Sequence, residues 1–186
     1  SSPYKSPTDM GVNMAGNCIF DDEAVSDASR REIVRRYYQA MCDLRTGRGE
    51  ESAVAKIELL MNKAEITVDI NPTVAASLRK AEETGMPAVA IELPDGQVIT
   101  GKTSSLLGAS SAALLNALKV LAGLDDSLHL IAPEVIEPIQ HLKISHLGNH
   151  NPRLHTDETL IALSISAVTD PNAERAMEHL AELSGC

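Results

Sequence analysis

The sequence contains very few aromatic residues. It has no tryptophan, one phenylalanine and three tyrosines, so that aromatic residues make up 2% of the 186 positions. Proteins that bind single-stranded nucleic acid stack bases on aromatic rings, and this chain has almost none to offer. Its formal net charge of −10 also disfavours DNA or RNA, because neutralising phosphates requires a basic surface. We therefore expect no nucleic-acid partner, and a core built from aliphatic side chains.

Cysteine is also scarce, and long apolar runs are lacking. Cys18, Cys42 and Cys186 are scattered and show no metal-ligand spacing, which is typical of a protein kept in a reducing compartment. The most apolar stretch, residues 105–122, is interrupted by serine, asparagine and lysine, so it is too polar to span a membrane. We therefore predict a cytoplasmic protein with no membrane partner.

The middle of the chain carries the clearest structural signals. Residues 88–93 and 97–100 are rich in β-branched side chains and flank a Pro-Asp-Gly turn, which predicts a hairpin. Leucines then recur at helical spacing over residues 105–122, and Gly123 follows as a stop. This pattern predicts a helix buried on nearly all sides, in which Asn116 and Lys119 need water or a partner.

The rest of the chain is predicted to be mainly helical. The predicted helices cover residues 21–45, 50–62, 72–84, 134–146 and 172–183, and short β-like runs lie at 66–70 and 128–131. Pro138 should bend or disturb the helix that contains it. The pattern predicts an α/β (α+β) fold, with a helical subdomain in residues 1–70 and a three-layer α/β subdomain in residues 71–186.

Four arginines lie close together on the first predicted helix. They are Arg30, Arg31, Arg35 and Arg36. We interpret them as a solvated face with Asp27–Arg31 and Glu32–Arg36 pairs, because residues four apart on a helix are neighbours. An anion or partner site is the alternative.

Residues 96–103, GQVITGKT, satisfy the letters of the phosphate-binding loop. Such a loop must curl so that its backbone N–H groups surround one phosphate, which favours small residues. The intervening Gln-Val-Ile-Thr run favours an extended strand instead. We therefore predict that these residues form one side of the hairpin and do not bind a nucleotide.

Five of the six histidines lie within residues 129–155. They are His129, His141, His146, His150 and His155. Imidazoles ligate zinc, and Asp157 or Glu158 would be available to complete a site. However, two pairs of these histidines are five residues apart, which does not place them on one helix face. We predict solvated or capping histidines, no bound metal and no cofactor.

Two polar segments are candidates for binding an anionic ligand. Residues 143–153 precede Thr156 and Asp157, either of which could cap the N-terminus of a further helix, where donors and the helix dipole favour negative charge, and residues 5–13 are similarly polar. The candidate ligand-binding residues are Lys5, Ser6, Thr8, Asn13, Lys143, Asn149, Asn151 and Arg153. Asp9 and His150 are the candidate acid–base residues.

The predicted order of hairpin, helix, strand and helix over residues 89–142 resembles the core of the cytidine-deaminase-like fold. In that family the first helix carries a zinc ligand and a catalytic glutamate, and the second opens with Pro-Cys-x-x-Cys. Here the corresponding positions are Ser110 and Ala112, then PEVIE at residues 133–137. The resemblance implies the topology without zinc-dependent deamination.

Three further stretches resemble one bacterial family, described as domain of unknown function 1846. They are YKSPTDMGVN at residues 4–13, ELPDG at 92–96 followed by ITG at 99–101, and LIALS at 160–164. The resemblance implies a cytoplasmic, multidomain protein with no settled activity. It also implies that this chain is the middle to C-terminal portion of a longer protein.

Two functions follow from these observations, and whether the chain is an enzyme stays open. The first is a non-catalytic structural or interdomain part of a multidomain protein, with the remaining domains or a second copy of the chain as partners. The alternative is part of an enzyme that acts on a nucleotide or phosphorylated small molecule. Its cleft would lie between the opening loop and residues 143–155.

Overall fold

The computed structural model describes residues 22–186 and divides the chain into two compact units, Ser1–Val74 and Ala75–Cys186. The predicted opening loop therefore lies outside the described residues. The described part is mixed helical with one small antiparallel sheet, which agrees with the predicted α/β or α+β class.

Two helices dominate the first unit. Helix α1 (Asp22–Arg45) packs against α2 (Glu51–Lys63), and the predictions for both helices are confirmed to within one residue at each end. The tight turn between them is held by the backbone N–H groups of Arg48 and Gly49, which donate to the carbonyl of Asp43 at 2.8 and 2.9 Å. Gly47 has a φ of +71°, which a residue with a side chain rarely adopts.

The predicted pairing of the arginine-rich face on α1 is confirmed. Arg31 donates to Asp27 at 2.8 Å, and Arg36 donates to Glu32 at 2.9 Å. Arg35 also binds Glu32, and the hydrogen bonds from these two arginines lower the pKa of Glu32 to about 2. These pairs are exposed to solvent, so they contribute little to stability and describe a solvated helix face.

The predicted β-like run at residues 66–70 is wrong. The chain forms a 3-10 turn at Val68–Ile70, and the buried side chain of Ile66 accounts for the apolar signal without a strand. Helix α3 (Pro72–Thr84) follows and confirms the helix predicted from its first-turn proline. Gly85 adopts a φ of +66° where this helix stops.

In the second unit, the predicted hairpin is confirmed. Strands β1 (Ala88–Glu92) and β2 (Val98–Lys102) pair antiparallel, and Gly96 takes a φ of +84° in the turn. The hairpin packs on helix α4 (Ala109–Leu121), which it approaches very closely at Gly101. A Cβ at this glycine would lie 2.1 Å from the backbone nitrogen of Ala113, so only glycine fits.

Helix α4 begins at Ala109, four residues later than predicted, and is enclosed as predicted over most of its length, with Val120 40% exposed near its end. Every residue from position 111 to 119 is buried or partly buried. The two polar side chains for which the sequence predicts a need for partners have them in the unit: Asn116 donates to the carbonyl of Thr100 at 3.0 Å, and the buried Lys119 ammonium donates to the carbonyl of Asp126 at 2.6 Å. Burial without these bonds would cost free energy.

The remaining helices differ from prediction in their details. They are α5 (Pro133–His141), a π-helical turn at Leu142–His146, α6 (Thr156–Ser166), α7 (Pro171–Glu178) and a 3-10 turn at Leu180–Leu183. The helix predicted over 134–146 is thus α-helical up to His141, with Pro138 inside it, and π-helical from Leu142 onwards. The helix predicted over 172–183 is likewise shortened by a 3-10 end.

The predicted third strand at residues 128–131 is wrong. Leu130 and Ile131 are buried in an apolar cluster with Leu118 and Ile136, where the chain bends and does not pair with a strand. Among the residues described, β1 and β2 form the whole sheet. The three-layer, cytidine-deaminase-like topology is therefore not confirmed, because it requires a larger sheet.

Candidate functional site

Helices α4 and α6 begin side by side. Leu107 and Leu154 form a parallel bridge just before the two helices, and Gly108 N–H donates to the carbonyl of Leu154 at 3.1 Å. The buried hydroxyl of Ser111 donates to the same carbonyl at 3.0 Å. This junction brings residues 104–108 against residues 153–155, although they are far apart in the sequence.

Lys143 was predicted to bind an anion, and its side chain turns inward. It is 3% exposed, and its ammonium donates to the carbonyl of Arg153 at 2.6 Å and to Oε2 of Glu158 at 2.7 Å. The Lys143 side chain thus extends from the π-helical turn to the first turn of α6. Lys143 therefore stabilises the junction, and its charge is already paired within the fold.

Glu158 completes this buried ion pair. Its Oε2 also accepts the backbone N–H of His155 at 2.8 Å, at the first turn of α6. Partial burial opposes ionisation, but the Lys143 ammonium and the His155 N–H outweigh it and hold the pKa of Glu158 below its usual value. Its charge at the N-terminus of α6 also suits the helix dipole.

The other predicted residues of this segment are only partly brought together. Asn151 accepts the backbone N–H of Arg153 at 3.1 Å, and Arg153 Nε donates to the carbonyl of Ser104 at 2.6 Å. Asn149 and His150 are exposed. Arg153 therefore links the segment that precedes α6 to residues 104–108, on the other side of the junction. Whether these residues also hold a ligand stays a prediction.

The remaining sequence-based candidates are separated or undescribed. Lys5, Ser6, Thr8, Asp9 and Asn13 lie outside the described residues. His129, His150 and His155 are exposed, and the rings of His141 and His146 contact edge to face with centroids 5.3 Å apart. Within residues 22–186, no three histidine, cysteine or acidic side chains are grouped so as to hold a metal ion.

The string GQVITGKT forms the second side of the hairpin. Lys102 pairs with Ala88 in the strand register, and Thr103 N–H donates to the carbonyl of Pro87 at 2.9 Å. The backbone groups that would surround a phosphate are thus engaged in the ladder between the strands. The absence of nucleotide binding stays a prediction.

The outer face of α6 is apolar and uncovered. Ile161 and Ile165 are 59% and 53% exposed and lie four apart on one side of the helix, and Val168, which is 82% exposed, follows in the turn just after the helix ends at Ser166. On the opposite side, Ala162 and Leu163 are completely buried in the core. We call the exposed side, defined by Ile161, Ile165 and Val168, the α6 outer face.

A groove continues from the α6 outer face towards α7. Its volume is about 440 Å³, and it is lined by Ser164, Ala167, Val168, Glu174, Met177 and Glu178. The floor is apolar, and the two carboxylates stand one helical turn apart on α7. Val168 belongs to both surfaces, so the groove and the outer face form one continuous patch.

Residues 160–168 form an apolar run in the sequence, and no functional role was predicted for them. The sequence feature that could have indicated this surface is the lack of charged residues in α6 after Glu158. In the structure, one side of this helix is nevertheless exposed to solvent. A helix that is apolar all round is usually buried all round. The buried pair Lys143–Glu158 was missed because its members are 15 residues apart and carry no local pattern.

Two family models match the chain. Residues 1–65 match "Domain of unknown function DUF1846, N-terminal", and residues 69–186 match "Domain of unknown function DUF1846, C-terminal". The UPF0371 protein of Streptococcus pyogenes serotype M5 (strain Manfredo) is 54% identical over 184 residues, 99% of this chain and 37% of the relative. The UPF0371 protein of Streptococcus thermophilus (strain ATCC BAA-250 / LMG 18311) is 56% identical over the same shares.

The chain therefore spans about 37% of the length of the curated relatives it matches. The matches correct the predicted placement of the chain as a middle-to-C-terminal fragment with an interdomain role, because residues 1–65 match the N-terminal family model and residues 69–186 match the C-terminal one. For the alternative, part of an enzyme acting on a nucleotide or phosphorylated small molecule with a cleft between the opening loop and residues 143–155, the opening loop lies outside the described residues, and Lys143 is buried and paired.

Proposed function

Since the chain belongs to the DUF1846 family, whose description names no activity, we propose a function from its own surface: the unit Ala75–Cys186 is a polypeptide-binding module. Its contact surface is the α6 outer face together with the groove beside α7. The observation that carries this proposal is the exposure of Ile161 and Ile165, on a helix with no charge beyond its first turn, and of Val168 in the turn that follows.

Burial of these side chains would release free energy. Each aliphatic side chain that moves from water into an apolar contact contributes about 1.5–3 kcal/mol at full burial. Contiguous apolar patches of this kind on proteins mark interaction sites, whereas single exposed leucines need no explanation. Ile161 and Ile165 are four apart, a spacing at which one helix presents neighbouring apolar side chains to a partner.

The shape of the groove favours a polypeptide over a small molecule. Small-molecule sites combine an apolar pocket with several convergent polar groups. In this groove the polar lining consists of Ser164, Glu174 and Glu178, and the two carboxylates are exposed at its edge. An extended apolar strip with polar edges is the anatomy of a protein interface.

We also propose that the module works in the cytoplasm. Cys42 and Cys186 are free thiols in the part of the chain that is described, which suits a reducing compartment. No helix within residues 22–186 has both the length and the apolar character needed to cross a membrane.

Binding of a neutral amphipathic helical peptide tests the proposed function. The peptide carries a leucine stripe at helical spacing with glutamine on its other faces, and its binding to the full chain is measured by fluorescence anisotropy. We expect saturable binding that the double variant Ile161→Glu/Ile165→Glu weakens at least about tenfold, since both charges would enter an apolar contact.

The matched control is Leu59→Glu/Leu60→Glu on α2, where two leucines are 56% and 49% exposed. It removes similar apolar area from another surface and should leave the affinity unchanged. Urea unfolding of both variants establishes that each remains folded. Absence of binding, or equal losses in both double variants, would contradict the proposed function.

A further inference from the structure

Carboxylates surround the apolar patch on α6 and α7. Residues 154–186 contain six acidic side chains and one arginine, Arg175. The guanidinium of Arg175 lies towards Gly123, and the residues that line the groove include no basic side chain. Among residues 22–186, the charged side chains that line the groove are therefore all acidic.

Two of these carboxylates lie at the groove and repel each other. Glu174 and Glu178 are four apart on α7, where like charges are neighbours and mildly destabilise a helix. Both side chains are exposed, and within residues 22–186 neither carboxylate makes a hydrogen bond or ion pair. A cation between them would relieve this repulsion.

Three of the other four acidic residues of this segment are already used, and the fourth, Asp157, lies in the first turn of α6 and does not line the groove. Glu158 is paired with Lys143, Asp170 accepts the backbone N–H of Asn172 at 2.8 Å, and Glu182 lies 2.6 Å from the His179 ring nitrogen. Glu174 and Glu178 are thus the carboxylates whose interactions remain available at the apolar patch. They are available at the edge of the groove, where a partner would contact them.

From this arrangement, and resting on the proposed function, we infer that the occupant is a basic amphipathic helix of another polypeptide. Its apolar side chains, at positions i, i+3 or i+4 and i+7, would cover Ile161, Ile165 and Val168. Lysine or arginine beside this stripe would lie over Glu174 and Glu178. The apolar contact supplies affinity, and the two carboxylates select for positive charge.

A second copy of the chain is a less suitable occupant. An isologous dimer through this patch would bring the same acidic surface of each copy to the interface. Glu174 and Glu178 would then approach like charges, with Arg175 as the single basic residue in this part of the sequence. Like-charge juxtaposition disfavours a partner, so charge complementarity points to a basic one.

Three peptides with the same length and leucine stripe test this inference. They carry lysine, glutamine or glutamate beside the stripe, and their affinities for the full chain are measured at low and at physiological salt. We expect the order lysine, glutamine, glutamate. The lysine peptide should bind about 3- to 10-fold more tightly than the glutamine peptide at low salt, because two exposed ion pairs each contribute modestly. This advantage should shrink as salt screens the charges.

The double variant Glu174→Gln/Glu178→Gln should remove the lysine advantage while the glutamine peptide binds as before. The charge-matched control is Glu134→Gln/Glu137→Gln, two exposed residues of α5 that do not line the groove. This control removes the same net charge and should preserve most of the advantage. A lysine advantage that both double variants lose equally would reflect net charge alone and would overturn the assignment.

The outcomes separate the inference from the proposed function. If the glutamine peptide binds at the α6 outer face and lysine adds nothing, the basic partner is wrong and the binding module stands. If no peptide binds, both are wrong. If sedimentation shows a dimer of the chain that Ile161→Glu/Ile165→Glu dissociates, the occupant is a second copy and the inference is overturned.

Discussion

Helices α4 and α6 can be compared directly, because both are almost wholly apolar beyond their first turn. In α4 the only charged residue is Lys119, which is buried and bonded to Asp126. In α6 the charged residues are confined to the first turn. Yet α4 is enclosed by the hairpin and the helical core, whereas α6 leaves Ile161 and Ile165 more than half exposed.

The difference between α4 and α6 shows that the composition of a helix does not determine how much of it is buried. An apolar helix requires cover on each side, and in α4 this cover comes from the same unit. In α6 the inner side is covered by the core, and the outer side is not. The missing cover is what the proposed partner would supply, so the comparison can be tested by perturbing each helix separately.

The largest expected effect comes from the close approach of β2 to α4. Gly101→Ala should cost about 4 kcal/mol or more in the free energy of unfolding, since its Cβ would overlap the backbone of α4 at Ala113. Gly108→Ala is the control, because the nearest atom to its Cβ would lie 3.7 Å away. Urea unfolding of both variants should show a large loss for the first and a small change for the second. Similar stabilities would contradict the enclosure of α4.

Truncation of one aliphatic side chain in each helix sharpens the comparison. Leu118→Ala should cost about 3 kcal/mol, since the residue is fully buried and a cavity would remain. Ile165→Ala should cost less than about 0.5 kcal/mol, because the residue is already exposed to water. Both values come from urea unfolding at the same protein concentration. An equal cost at the two positions would mean that the α6 outer face is covered.

The third prediction concerns the ion pair that fixes the start of α6. Glu158→Gln should cost about 2 kcal/mol near neutral pH, because the charge-assisted bond with buried Lys143 is lost. Asp126→Asn should cost much less, since the Asp126 side chain is 97% exposed and Lys119 keeps its bond to the Asp126 carbonyl.

The same pair predicts a pH dependence. Because the folded pKa of Glu158 lies below the unfolded value of 4.5, its contribution is present above that value and is lost as the pH falls through the folded pKa. The free energy of unfolding should therefore fall less steeply with acid in Glu158→Gln than in the wild type. An unchanged slope below pH 4.5 would contradict the shifted pKa.

The smallest expected effect distinguishes two hydroxyls. The buried Thr159 hydroxyl of α6 has no hydrogen-bond partner among the described residues, whereas the Ser111 hydroxyl of α4 donates to Leu154. Thr159→Val should therefore stabilise the fold by up to about 1 kcal/mol, and Ser111→Ala should destabilise it by about the same amount. Thermal or urea unfolding would reveal the opposite signs. A loss of stability in Thr159→Val would show that its hydroxyl is satisfied.

Most helices and the hairpin could be predicted from the sequence, because the patterns that indicate them are local. The helix periodicities, the Pro-Asp-Gly turn and the partners required by Asn116 and Lys119 all correspond to features of the fold. The run at residues 128–131 was misassigned because a short apolar stretch has the same pattern in a strand and in a buried bend. Only its tertiary surroundings distinguish the two.

The candidate site depended more on tertiary contacts. Lys143 has the sequence context of an anion ligand, and its burial beside Glu158 follows from a pairing across 15 residues. The α6 outer face was present in the sequence as an apolar run, but periodicity does not show which side of an apolar helix lacks cover. The groove also requires α7, whose position relative to α6 is set by the core.

The most direct measurement of the central claim is amide chemical-shift mapping of the full chain titrated with the lysine-flanked peptide. We expect the largest shifts in residues 161–178, which contain the α6 outer face and the groove, with α4 and the hairpin nearly unchanged. The Ile161→Glu/Ile165→Glu variant should lose these shifts. Shifts centred on Leu59 and Leu60 of α2, or on residues 143–153, with none at α6 would contradict the account.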